Sequence, residues 1–190
     1  DRTTWSGRRD HVLLLLAVQT GLRLSEITGL RAADVRLGTG AHVHVLGKGR
    51  KERCTPLAKQ TQEALRPWMS RDLGPEPAIL FPSARGSRLS ADGVQYLVAK
   101  HVATAGRACP SLTRKRVTPH VLRHTTAMEL LQAGVDRSVI AMWLGHESLE
   151  TTQIYLDADL TLKERVLDKV APPSVQARRY RPEDKLMAFL

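Results

Sequence analysis

The chain is written mostly in helical spacing, interrupted once by strand spacing. RRDHVLLLLAVQTG reads as a buried helix, with Asp10 as its N-cap and Gly21 closing its C-terminus. LRLSEITGL follows as a turn and a short helix that Ser25 can cap. From Val35 the period changes. DVRL, AHVHVLG and KERCTPL alternate or carry β-branched residues, and GTG and GKGR separate them, which predicts three antiparallel strands joined by tight turns. Helical spacing returns in AKQTQEALRPWMSRDL, and EPAILFPSARGSR is irregular with one short apolar run. Ser90 begins another helix that runs to Gly106, and CPSLTRKRV is a basic loop. TPHVLRHTTAMELLQAG then has Thr118 as N-cap, Pro119 at the first helical position and Gly134 as C-cap. Asp136 opens a helix ending near Gly145, Ser148 opens the one that carries Tyr155, and TLKERVLDKV is the last regular helix before APPS breaks it. The fold class expected is α+β, mostly α-helical with a small three-stranded antiparallel sheet.

Bulk properties narrow the choice of partner. A chain of 190 residues, 42% of them hydrophobic, is long enough for one ordinary domain with a substantial core. Lys and Arg number 29 against 19 Asp and Glu, a net charge of +10. That is the electrostatic footprint of a nucleic-acid binder, because each phosphate contact releases counterions. A basic surface with no polyanion partner is the plain alternative. Aromatic residues make up only 4%, which argues against a single-strand binder built on stacked bases and favours backbone contacts to a duplex. Cys54 and Cys109 have neither paired nor zinc-like spacing, so both are expected as free thiols in a reducing compartment. VLLLLAV is too short to span a bilayer and lacks a cleavage-site context, so a cytoplasmic protein without a membrane partner is expected.

The chemistry concentrates in HVLRH. His120, Arg123 and His124 fall at i, i+3 and i+4, on one face of a helix. Zinc would need His120 and His124 with His146 as a third ligand. The metalloprotease helix, however, places a glutamate directly after its first histidine, and Val121 stands there. An arginine on the same face also repels a dication, so no metal is expected. The guanidinium of Arg123 instead matches a phosphate, whose non-bridging oxygens accept two parallel hydrogen bonds. His120 and Arg123 follow directly on the Thr118 cap, where backbone N–H groups and the helix dipole also favour an anion.

TPHVLRHTTAMELLQAGVDRSVIAMWLGHESLETTQIYL resembles the C-terminal signature of the tyrosine recombinases, also called the phage integrase family. That signature is H-x-x-R, then L-G-H, then a tyrosine about nine residues on. Upstream, TGLRLSEITGLRAADV resembles the family's first arginine box, and HVLGKGRKER the turn that bears its lysine. Four separated boxes in the right order are a strong signal where one alone would be weak. The resemblance covers about His11 to Leu156 and implies the catalytic-domain fold of that family. Carried over by position, it implies a catalytic set of Arg23, Lys48, His120, Arg123, His146 and Tyr155, with Tyr155 as the nucleophile. It further implies a site-specific recombinase, integrase or transposase that cuts and rejoins duplex DNA through a 3′-phosphotyrosyl bond without a cofactor.

Each implied role has a physical basis. A phenol with a pKa of about 10 needs help losing its proton at neutral pH, and His120 is placed to give it. Arg23 and Arg123 can bracket the charge that develops on the phosphoryl oxygens. Lys48, in a glycine-flanked turn, is the general acid for the leaving 5′ oxygen, with Lys51 close enough in sequence to take its place. His146 donates a hydrogen bond to a phosphate oxygen. Glu26 is expected to support an arginine or histidine, and His124 to support the site without taking part in the chemistry. Arg50, Lys51 and Arg53 around the lysine turn, and Arg114, Lys115 and Arg116 before the HVLRH helix, are expected to hold the duplex.

The organisation expected is a catalytic domain over residues 1–171 and a tail over 172–190 whose apolar KLMAFL end docks in cis or in trans. The family's N-terminal DNA-clamping domain is expected to be absent from this chain. Double-stranded DNA is the expected partner, with a monomer off DNA and a tetramer on synapsed DNA. Two other function classes stand beside the recombinase: a DNA-binding regulator with the same fold but no catalysis, and a metal-dependent hydrolase that uses the histidines.

Overall fold

A computed structural model describes residues 2–47, 51–73, 79–145 and Leu167. The first helix, α1 (Trp5–Thr20), begins earlier than Asp10. Thr4 is its N-cap and accepts from the Gly7 N–H at 3.1 Å. Asp10 lies inside the helix and is 2% exposed. Its carboxylate accepts from Arg9 at 2.7 Å and pairs with His101 Nε2 at 2.8 Å, so it joins elements instead of capping one. Gly21 closes α1 as expected, in the left-handed conformation with φ 63°.

α2 (Leu24–Gly29) also starts differently. Arg23 is its N-cap, the Glu26 carboxylate accepts the Arg23 N–H at 2.7 Å, and Ser25 sits within the helix. A 3₁₀ turn (Ala32–Asp34) leads to a sheet of β1 (Val35–Arg36), β2 (His42–Leu46) and β3 (Glu52–Pro56), antiparallel and in sequence order. The β2–β3 register sets Val43 opposite Thr55 and Val45 opposite Arg53. The Gly47 N–H donates to the Lys51 carbonyl at 2.8 Å across the mouth of that hairpin.

α3 (Lys59–Pro67) continues as a π-helical turn (Trp68–Asp72), closed by the Leu73 N–H on the Trp68 carbonyl. α4 (Ala91–Gly106) is capped by Ser90, α5 (Pro119–Gln132) by Thr118 and α6 (Arg137–Leu144) by Asp136, each as the sequence indicated. A 3₁₀ turn (Pro110–Arg114) forms in the basic loop. The described fold is therefore mostly helical with one three-stranded antiparallel sheet, the class the hydrophobic pattern predicts.

Two apolar clusters hold it. The larger gathers Leu13, Leu16, Ile27, Val43 and Leu65 from α1, α2, the sheet and α3, with Leu22, Trp68 and Phe81 from the segments that follow α1 and α3. The smaller gathers Leu130, Ile140, Trp143 and Leu144 from α5 and α6. Polar ties join them at the end of α1: Thr126 Oγ1 donates to the Val18 carbonyl at 2.6 Å, and Trp143 Nε1 to the Thr20 carbonyl at 3.1 Å. The ends of α1 and α6 and the start of α2 consequently meet α5 at one place. Among the described residues no helix is long and apolar enough to cross a membrane.

Candidate active site

Helix ends create the site. The last carbonyls of a helix lack intrahelical donors and carry the negative end of its dipole. Arg123, one turn into α5, points inward and serves two such ends. Its Nη1 donates to the Gly21 carbonyl at 2.7 Å and its Nη2 to the Leu144 carbonyl at 2.8 Å. Arg23 serves a third carbonyl, with Nη2 on Gly145 at 2.7 Å. Gly145 ends α6 in the left-handed region at φ 71°, which turns that carbonyl toward the arginines.

One carboxylate organises the cations. Glu26 Oε1 accepts from Arg23 Nη1 at 3.2 Å, and its two oxygens accept from Arg53 Nη1 and Nη2, each at 2.8 Å. Burial by itself would raise the Glu26 pKa. The hydrogen bonds and charge of Arg53, together with the Arg23 backbone N–H and guanidinium, outweigh it and hold the carboxyl below its usual range. Arg123 is affected in the opposite sense. Burial first, then repulsion from Arg23 and Arg53, pushes its pKa down to about 10, with Glu26 only partly opposing. Two guanidiniums thus bond one carboxylate, and Arg123 lies close enough to feel the charges of all three groups. Among the described residues, three guanidiniums and the Glu26 carboxylate lie together in a largely buried place.

Arg23 is the open side of this cluster, with its side chain about one third exposed (34%). It borders a shallow depression with Ser25, Thr28, Arg88 and Ser90. His120 is exposed in the first turn of α5, and the His124 ring meets its ring edge-on with centroids 4.0 Å apart. Burial, followed by the charges of His120 and Arg123, lowers the His124 pKa and so favours the neutral ring. Among the described residues no three His, Cys, Asp or Glu side chains come together as a metal site would require. Cys54 and Cys109 are free thiols.

The sequence-indicated residues divide into three groups. Arg23, Glu26 and Arg123 come together, with His120 and His124 at the exposed start of α5. Lys51, Arg114, Lys115 and Arg116 are exposed. Lys48, Arg50, His146 and Tyr155 lie outside the described residues, as does the 172–190 tail. Arg53 departs from its expected place: it is 6% exposed, and its guanidinium is committed to Glu26 instead of to a surface that could meet a duplex. A signal for this was present in the sequence. Alternation through HVHVL and ERCTP puts Arg53 and Thr55 on the face of Val43 and Val45.

Comparison with known proteins identifies the family and the fold. The sequence model described as the phage integrase family matches residues 3–161. The chain is similar to the putative integrase/recombinase y4rC of Sinorhizobium fredii, with 64% identity over 190 residues, covering 100% of this chain and 57% of that protein. It is also similar to tyrosine recombinase XerC of Neisseria meningitidis serogroup B, with 41% identity over 165 residues, covering 86% of this chain and 52% of the other. Among solved structures, XerH site-specific recombinase bound to difH substrate in a pre-cleavage complex superposes with a TM-score of 0.67 at 27% identity. That match covers 83% of this chain and 48% of the solved one. The chain spans about half the length of the relatives it matches.

Proposed function

The chain belongs to the phage integrase family, and from that premise we propose that it cleaves and rejoins duplex DNA as a tyrosine recombinase. The observation that carries this reading is the gathering of Arg23, Arg53 and Arg123 with the Glu26 carboxylate at the meeting point of the helix ends. The positive charge gathered there, whose repulsion adds to burial in lowering the Arg123 pKa, suits an anion beside it. A DNA phosphodiester supplies that anion, and its charge grows on the non-bridging oxygens as phosphorus becomes five-coordinate. Donors fixed before the reaction stabilise that growth without reorganising. The likeness to XerH site-specific recombinase, solved bound to its difH substrate in a pre-cleavage complex, adds weight to this reading.

In this reading Tyr155 Oη attacks phosphorus in line with the P–O5′ bond. His120 receives the phenolic proton, the P–O5′ bond breaks, and Lys48 gives a proton to the departing 5′ oxygen. Arg23, Arg123 and His146 hold the phosphoryl oxygens throughout. A 5′-hydroxyl from a second strand then attacks that phosphorus and gives its proton back to Lys48, while the P–O bond to Tyr155 breaks and the phenolate recovers its proton from His120. One phosphoester is exchanged for another at each step, so neither nucleotide hydrolysis nor a metal ion is required. Residues 1–171 form the catalytic domain, residues 172–190 a tail that docks in cis or on a neighbour, and protomers assemble as a tetramer on synapsed DNA.

The test is a nicked suicide duplex incubated with the protein in EDTA. A covalent protein–DNA adduct is expected, and Tyr155→Phe should abolish it. A metal requirement would point to a hydrolase, and binding without an adduct would point to a regulator. Joining of two different DNA sites should accompany the adduct, which separates a recombinase from a topoisomerase.

Arg114, Lys115 and Arg116 support the same reading from outside the cluster, since all three are exposed just before α5. Neutralising them together should weaken duplex binding and reduce the slope of log K against log salt by about 2 to 3. An unchanged slope would remove them from the DNA interface.

A further inference from the structure

An arginine at position 53 is costly where it lies. It shares the inner face of the sheet with Val43 and Val45, which are 0% and 2% exposed. A charge there must be paired. Glu26 supplies the pairing in the fork geometry that suits a guanidinium, with both terminal nitrogens at 2.8 Å from separate oxygens. The Arg53 Nε meets no acceptor among the described residues, so hydrogen bonding does not fully offset the burial.

Two glycines border the same guanidinium. A Cβ on Gly145 would fall 2.7 Å from Arg53 Nη1 and 2.9 Å from its Cζ. A Cβ on Gly47 would fall 3.4 Å from that Nη1 and 3.6 Å from Glu26 Oε1. In sequence, Gly145 precedes His146 and Gly47 precedes Lys48. Arg23 is reached from a third side, through Glu26. One planar cation therefore abuts the backbone leading into two of the proposed catalytic residues and grips the carboxylate that holds another.

We propose that Arg53 is a positioning residue of the strand-transfer site, fixing Arg23 through Glu26 and seating the backbone at Gly47 and Gly145. The inference rests on the functional reading above. A lysine would supply the charge but not the fork, and could not fill the plane between the two glycines. Misplacement of reacting groups by about 1 Å can cost on the order of 10²-fold in rate, so the effect belongs in the cleavage step and not in DNA affinity.

The experiment uses the protein in excess over the nicked suicide duplex and measures duplex affinity, the first-order cleavage rate and the thermal midpoint. Wild type, Tyr155→Phe, Arg53→Lys, Glu26→Gln and the Arg53→Lys/Glu26→Gln pair are compared. Arg53→Lys is expected to bind DNA as wild type does and to cleave it about tenfold or more slowly. The double variant should be slower than Glu26→Gln alone by clearly less than the loss Arg53→Lys causes by itself, because the two share the Glu26 contact. Wild-type cleavage by folded Arg53→Lys, or losses that multiply in the double variant, would overturn the proposal. If Arg53→Lys does not fold, Gly145→Ala displaces the same guanidinium while keeping every charge, since its Cβ would fall 2.7 Å from Arg53 Nη1. It should slow cleavage several-fold, and an unchanged rate would be equally fatal. Absence of a Tyr155-dependent adduct in wild type would overturn the functional reading and this inference with it, whereas a wild-type adduct with unaffected Arg53→Lys overturns the inference alone.

Discussion

Arg123→Lys is expected to slow DNA strand cleavage by about two to three orders of magnitude, the usual effect of removing a preorganised donor from a developing oxyanion. The substitution keeps a positive charge and most of the aliphatic stem. It loses the planar fork by which Nη1 and Nη2 span the carbonyls of Gly21 and Leu144. A single ammonium can meet one helix end or the other, and then it no longer presents the same face to a phosphate. Arg123→Ala would be a poorer test, because it orphans two carbonyls in the interior at about 1–3 kcal/mol each and confounds rate with stability. Single-turnover cleavage by Arg123→Lys, with its thermal midpoint measured alongside, separates the two effects. A loss of less than a few-fold in a folded protein would show that Arg123 is a structural clasp for α1, α5 and α6 and nothing more.

Gly21→Ala should be among the most damaging small substitutions in the chain. Gly21 sits at φ 63°, where an L-residue pays about 1–2 kcal/mol. The new Cβ would stand 2.6 Å from Leu144 Cδ2 and 3.3 Å from both Cβ and Cγ2 of Thr126. Leu144 is 0% exposed and Thr126 3%, so neither has room to retreat. Overpacking of this kind adds about 1–3 kcal/mol, for a total of about 2–5 kcal/mol. In a protein of this size that lowers the thermal midpoint by about 5–15 °C. Cleavage should also fall at temperatures where the variant is still folded, because the Gly21 carbonyl is an anchor of Arg123. A midpoint within 2 °C or so of wild type, measured by circular dichroism, would contradict the tight approach of α1, α5 and α6 at this point.

Local signals were legible where local chemistry decides the outcome. Ser90, Thr118 and Asp136 cap the helices they were expected to cap, and the strand run through HVHVLG and KERCTPL pairs as its alternation implies. The misreadings have tertiary causes. Asp10 looks like a cap because acids favour helix starts, yet its partner is His101, 91 residues away on α4. Ser25 loses the cap of α2 because Glu26 reaches back to the Arg23 N–H from inside the first turn. Arg53 looked exterior because it is charged and stands among other charges, while period-two alternation had already assigned it to the inner face. Of the candidate site, the residue types of Arg23, Glu26 and Arg123 could be read from the boxes that carry them. Their acceptors could not, since backbone carbonyls at the ends of α1 and α6 have no sequence signature and meet Arg123 only when the helices pack.

The claim that the arginine cluster is built for a phosphate is tested most directly by removing the anion from the DNA. A suicide duplex whose scissile phosphate carries a methylphosphonate in place of the diester has no negative charge for Arg123 to meet. The ratio of wild-type to Arg123→Lys cleavage rates, about 10²–10³ on ordinary DNA, should collapse to a few-fold on the neutral substrate. A ratio that stays as large on the methylphosphonate would mean that Arg123 does not act on the phosphate charge, and the arginine cluster would need another role.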